Sequence, residues 1–385
     1  MELEAWHLLI LPLFFALGWA AARVDIRHVV RESRAVPQSY FKGLNYLLNE
    51  QPDKAIEAFL EVARMDPDTL ELHFALGALF RRRGELDRAI RIHQNLVDRA
   101  DLPQDTRMKA MYELGEDYFK AGLLDRAETV FRRLESGSLA LDALRNILNI
   151  QVLTKDWNAA IQTADRLERL GSPAQQTDAA HYHCELAAAA MLKNDAGAAR
   201  EELGRALERN PRAARAWLLL GDLEAGLGRD EAAIEAWRKV EGMNPTYLPL
   251  LAERLVQAFS RLGRQEDAVR LLRAYLERQP SADLTHTLFQ TVAQQQGWPA
   301  ARQLAAEELR RRPHLRALDD YLQAGNSVNP DAVEDRLAQD LVHRQVSLNS
   351  FYQCVECGFK ARQHFWQCPA CARWESIPPE RTQHD

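Results

Sequence analysis

The apolar positions of this chain follow two different patterns. The first is one nearly unbroken run: within EAWHLLILPLFFALGWAAA, residues 5–22 are apolar except for His7. Eighteen helical residues rising about 1.5 Å each cover about 27 Å, close to the hydrocarbon thickness of a bilayer, which predicts a transmembrane anchor over residues 1–22. Trp6 and Trp19 stand near the two ends, where amphipathic rings favour the interface. A cleaved signal peptide is the alternative, since Ala20, Ala21 and Ala22 end the run, but Glu2 and Glu4 occupy the place where such peptides carry positive charge. Arg23, Arg27, Arg31 and Arg34 come after the run, and no Lys or Arg precedes it. The positive-inside rule then predicts a single pass with the bulk of the chain on the cytoplasmic side. Residues 23–35 read as a basic juxtamembrane segment that sets this orientation; a stripe of the four arginines touching anionic head groups is the alternative.

The second pattern is periodic. In FKGLNYLLNEQPDKAIEAFLEVARMDPD, Gly43 is followed by Tyr46, Ala55, Phe59 and Pro67, and the frame returns as Gly77, Phe80, Ala89 and as Gly115, Tyr118, Ala127, Phe131. The alanine alone recurs as Ala55, Ala89, Ala127, Ala160, Ala199, Ala233, Ala268 and Ala301, in steps of 33 to 39 residues. Pro67, Pro211, Pro245, Pro280 and Pro313 mark the ends of five units. Each unit predicts two antiparallel helices joined by a short turn such as RRGELD or GLGRDE. Small residues at the crossing let the backbones approach, aromatic and Leu side chains fill the space beside them, and the closing Pro disfavours continuing the second helix. One such pair cannot bury both faces, so neighbours must stack.

These residues and this period resemble the tetratricopeptide repeat family over residues 36–315, in about eight repeats; Leu148 and Phe289 stand where Gly is usual in the fourth and eighth. The expected fold is all-α, a tetratricopeptide-type α-solenoid. In that family the first helix of each pair lines a groove. The resemblance therefore implies that Arg81, Arg82, Lys109, Tyr112, Lys120, Arg145 and Asn149 face inward, toward an acidic or extended peptide. The alternative for each is an ordinary solvated surface. Residues 316–348, RALDDYLQAGNSVNPDAVEDRLAQDLVHRQVSL, predict a capping pair: a helix, a turn at the Gly-Asn-Ser-Pro stretch, and another helix able to dock the C-terminal segment.

That segment contains FYQCVECGFKARQHFWQCPACARWES, within an expected domain at 349–377 and ahead of a tail at 378–385. Cys354, Cys357, Cys368 and Cys371 form C-x2-C-x10-C-x2-C, whose two turns let four thiolates converge on one metal ion. A disulfide or redox pairing is the alternative. Phe351, Tyr352, Phe359, Phe365, Trp366 and Trp374 surround them, and a module this short needs metal and aromatic packing in place of a core. The knuckles resemble those of rubredoxins and zinc ribbons, although Ala372 replaces the usual Gly and the spacer is shorter than in electron-carrying rubredoxins. A structural zinc is favoured over iron. Cys184, alone in HYHCELAAAA, predicts a buried small apolar residue.

Charge and motifs narrow the function. A formal charge of −6 offers no broad basic surface, which counts against nucleic acid as the main partner. No phosphate-binding loop, H-E-x-x-H, G-x-S-x-G or dinucleotide fingerprint is present, so a binding protein is expected and not an enzyme. The order of parts (anchor, repeats, four-cysteine ribbon) resembles the lipopolysaccharide assembly protein B family of Gram-negative bacteria. That resemblance implies an inner-membrane adaptor regulating lipopolysaccharide synthesis. Its partners would be the membrane-anchored AAA+ protease FtsH, the lipid A pathway deacetylase whose degradation it promotes, and other lipopolysaccharide assembly proteins, with a homo-oligomer possible. An RNA-binding or RNA-processing factor using the ribbon's aromatics with Lys360, Arg362 and Arg373 is the reading from another class.

Overall fold

The computed structural model describes residue 19 and residues 38–65, 69–172, 175–329 and 333–382. The apolar run at 5–22, Trp19 excepted, lies outside the described residues, as do the arginines of 23–35 and Pro67. Among the described residues no helix is long and apolar enough to cross a membrane.

The described residues fall into two compact units, divided between Ile150 and Gln151. The first contains α1 (Gln38–Leu48), α2 (Pro52–Met65), α3 (Leu70–Arg83), α4 (Leu86–Asp98), α5 (Gln104–Lys120), α6 (Leu124–Arg132) and most of α7 (Ala140–Leu153). Three helix pairs cross in the same way. A Cβ added to Gly43 would lie 2.5 Å from the Phe59 ring, and one added to Gly115 would lie 2.6 Å from the Phe131 ring, so only glycine admits the aromatic of the second helix. Gly77 fills the same place in the second pair, but there the ring is His93. An imidazole cannot be buried among apolar neighbours without a partner. Its Nδ1 meets Asp117 Oδ2 at 2.5 Å, with both side chains fully buried. Asp117 also takes Arg81 Nη1 at 2.8 Å, and Arg81 Nη2 reaches Glu113 at 2.5 Å. A histidine in the aromatic slot thus brings with it an ionic staple between the second and third repeats.

The second unit continues with α8 (Trp157–Arg169), α9 (Gln175–Leu192), α10 (Ala196–Arg209), α11 (Ala214–Gly226) and α12 (Asp230–Met243). A short 3-10 turn at Pro245–Tyr247 leads into α13 (Leu248–Arg261), α14 (Gln265–Arg278), α15 (Ala282–Gln296), α16 (Trp298–Arg311), α17 (Leu315–Val328) and α18 (Val333–Asn349). The slot opposite Gly221 holds Trp237, whose indole would collide with an added Cβ and donates to the Leu218 carbonyl at 3.1 Å. Around it runs a core from Ala214 to Ala324. α10, α12, α14 and α16 end two residues before Pro211, Pro245, Pro280 and Pro313, where the following proline pushes its predecessor out of the helical region. Cys184 is fully buried, as its apolar setting predicted.

The capping pair differs from expectation in one respect. Helix α17 runs through Gly325, Asn326 and Ser327, which the sequence pattern placed in the turn. Asn326 Nδ2 donates to Gln339 Oε1 at 2.5 Å across the pair, and Ser327 Oγ donates to the Gln323 carbonyl at 2.9 Å. Side chains that favour turns when solvated here make hydrogen bonds that hold them in a helix.

Candidate metal centre

The C-terminal module is built from two similar turns. In each, the residue after the second cysteine adopts a left-handed conformation, Gly358 at φ 75° and Ala372 at φ 57°. Its N–H closes the turn on the carbonyl of the first cysteine: Gly358 on Cys354 at 3.0 Å, Ala372 on Cys368 at 2.9 Å. Strands β1 (Tyr352–Gln353) and β2 (Lys360–Ala361) pair antiparallel beside the first turn, with Tyr352 opposite Ala361. Left-handed backbone strains alanine by roughly 1 kcal/mol relative to glycine. Ala372→Gly is therefore expected to stabilise the module by about 1 kcal/mol, read as slower metal loss to a chelator.

The turns bring all four Sγ atoms within 4.8 Å of one another. Cys354 and Cys371 lie 3.7 Å apart, and Cys357 and Cys368 lie 3.6 Å apart. A tetrahedron of metal–sulfur bonds of about 2.3 Å has edges of about 3.8 Å, so the donor set fits one tetrahedral ion. Burial works against ionising Cys354. The nearby Ser376 hydroxyl and the backbone N–H groups of Cys357 and Glu356 nevertheless prevail, bringing its thiol down to about 6. Cys357 moves the opposite way, up to about 12: the Phe359 N–H favours its thiolate, but desolvation and hydrogen bonds with the sulfurs of Cys368, Cys354 and Cys371 outweigh it. One thiolate forms readily in such a cluster and opposes the next, a conflict that a central cation removes.

The aromatics divide into two sets. Tyr352 and Ile377 are buried inside the module with Phe359 and Phe365 against them. Trp366 and Trp374, just before and after the second turn, instead face the repeats. The Trp374 ring stacks on His181 at 4.6 Å and 3° and meets Trp157 and Tyr182 edge-on. Trp366 stacks on Tyr247 at 5.0 Å and 20°. Between them lies the Arg215 guanidinium, 5.5 Å from the Trp374 ring and 6.0 Å from the Trp366 ring, with its charge held by Glu185 at 2.7 Å. The tail adds Arg381, whose backbone N–H donates to Asp283 at 3.2 Å, and Glu380, which accepts from the Ala282 N–H at 3.0 Å. The seat for the module is thus made by residues between Trp157 and Asp283. Sequence periodicity could not mark them, because His181, Arg215 and Glu185 look like any polar positions of the repeats.

The expected groove residues have varied surroundings. Arg81 is half-buried in the Asp117 staple. The Lys109 ammonium lies 4.8 Å over the Phe74 ring. Tyr112 packs edge-on against Phe131, and its hydroxyl accepts from Asn146 at 3.2 Å. Arg145 pairs with Asp142 at 3.1 Å on the surface, and Arg82, Lys120 and Asn149 are exposed.

Known families match both parts of this arrangement. Residues 352–379 match the rubredoxin metal binding domain, and residues 42–102 and 184–247 match the tetratricopeptide repeat. Lipopolysaccharide assembly protein B of Escherichia coli strain K12 is 32% identical over 378 residues, covering 97% of either chain. The protein of that name from Haemophilus influenzae is 27% identical over 391 residues, covering 97% of this chain and 98% of its own. With 32% identity to the Escherichia coli protein along nearly its whole length, and with both repeats and ribbon present, this chain belongs to the lipopolysaccharide assembly protein B family.

Proposed function

We propose that this chain is a membrane-anchored adaptor in lipopolysaccharide assembly, whose repeats and seated ribbon together bind protein partners and carry out no bond-making of their own. Its relatives are named for lipopolysaccharide assembly, and stacked helix pairs of this kind offer an extended surface suited to peptides. In this proposal Cys354, Cys357, Cys368 and Cys371 hold one metal ion, zinc in preference to iron. With four thiolates on it, the ion supplies a crosslink and keeps no position open for water or substrate. The chain's own residues do the rest: the two tryptophans bracket the second turn and press it onto His181, Arg215 and Tyr247.

The finer proposal is that the protein brings the lipid A pathway deacetylase to FtsH for degradation, from the cytoplasmic side of the inner membrane. An anchor at residues 1–22 would confine it to the plane of a membrane-bound protease and raise the effective concentration of each for the other. Removing residues 1–22 is expected to leave the repeats folded while deacetylase turnover in cells falls; undiminished turnover by the shortened chain would reject tethering.

The observation that carries the adaptor reading is the seat itself, which commits both tryptophan faces to protein. Stacking of nucleic-acid bases on Trp366 or Trp374 would require the module to leave it. Trp374→Ala is expected to weaken docking by roughly 2 kcal/mol, less than the loss of a fully buried indole because this one is half-buried, while leaving metal content unchanged. Limited proteolysis at 345–352 reads the release, and loss of function with metal retained would assign the role to the docked module. Full cellular function with the module released would remove that role.

A further inference from the structure

Helix α18 buries one side and leaves the other bare. Val346 is buried, Gln339 takes the Asn326 amide, and His343 Nδ1 reaches Asp319 at 2.9 Å. At about 100° per residue these positions gather on the face toward α17. On the opposite face Leu337, Leu341 and Leu348 stand 64%, 58% and 65% exposed. With Arg344, also exposed, they fall within about 60° of arc. A single exposed leucine is ordinary. Three on one line, directly away from the core, form an unpaired seam, and together with Arg344 their four-three-four spacing is that of a helix-pairing stripe.

The stripe is its own complement when reversed. Set antiparallel against another α18, with a two-fold axis between positions 342 and 343, Leu337 meets Leu348 of the partner subunit and Leu341 meets the aliphatic stem of Arg344 of the partner subunit. The guanidinium of Arg344 then falls beside Asp340 of the partner subunit, so apolar and charged positions are matched in one register. Such self-complementarity is what an isologous two-fold contact requires. It is also the reason to choose a second copy over a foreign helix, whose charges would bear no relation to this order.

We propose that α18 is a self-association surface, through which two copies of this chain pair antiparallel. A contact of one helix per chain is smaller than the standard interface of about 1,600 Å², so a roughly micromolar dissociation constant is expected. Independent of the metal and of the adaptor reading, it gives each assembly two ribbons.

Sedimentation velocity of the full-length chain in detergent, over a range of concentrations, tests this. The wild-type chain is expected to shift from monomer to dimer. Leu341→Glu with Leu348→Glu should raise the dissociation constant at least about tenfold, with helix content unchanged by circular dichroism. Asp340→Arg and Arg344→Glu should each weaken pairing, and the two together should restore it, because the swap recreates the ion pair across the axis. A wild-type monomer at every concentration, a dimer indifferent to the leucine variants, or a double swap as weak as the single changes would each overturn the proposal; the first would leave the stripe to a different partner.

Discussion

Replacing Cys354 and Cys357 with serine is expected to release the metal and unfold residues 349–382 while the repeat helices persist. Cys354 and Cys368 are themselves half of the buried core of the module, beside Tyr352 and Ile377. With so few apolar side chains, the ordering of the segment rests on the metal, whose binding free energy in small domains of this kind is on the order of 10 kcal/mol. Unfolding the second turn also removes the hairpin that presents Trp366 and Trp374, so His181, Arg215 and Tyr247 become exposed. Three readings should change together: metal content by elemental analysis, tryptophan emission shifting to longer wavelength, and protease cleavage within 349–382. Metal content equal to that of the native chain would refute the ligand assignment. Serine keeps the size of the side chain, so steric damage does not account for the loss.

Asp117→Ala should be the most damaging single change among the charged residues of the first unit, at about 3 to 5 kcal/mol. Asp117 is fully buried and is the one acceptor shared by His93 and Arg81. Its removal leaves an imidazole enclosed beneath Gly77 without its partner and takes one of two carboxylates from Arg81. Hydrogen exchange should therefore quicken across α3, α4 and α5, with little change beyond residue 151. Arg82→Ala, one residue from Arg81 but exposed, is expected to change stability by no more than about 0.5 kcal/mol. Equal effects of the two substitutions would show that the staple contributes nothing. The contrast also bears on function, because it assigns Arg81 to holding repeats together and leaves Arg82, Lys109, Lys120, Arg145 and Asn149 as the exposed members of the expected groove set.

Much of this protein comes from local pattern. The recurring small residue and the aromatic that packs on it fixed the helix pairs, because a close crossing tolerates so few side chains. Prolines fixed the ends of four helices through a constraint acting on the residue before them. Two C-x2-C turns fixed the meeting of four sulfurs, since each turn is closed by its own hydrogen bond. In each case the cause lies within a few dozen residues of its effect. What the sequence could not determine lies in contacts between distant segments: Trp374 on His181, Trp366 on Tyr247, Arg215 between them, and Arg81 turned into a staple by a histidine in the next helix. An arginine on a first helix has the same local pattern whether it faces solvent, a carboxylate or an indole. Only the packing of one repeat on the next, and of the ribbon on the repeats, chooses among them, because burial sets whether that charge is solvated or must find a partner.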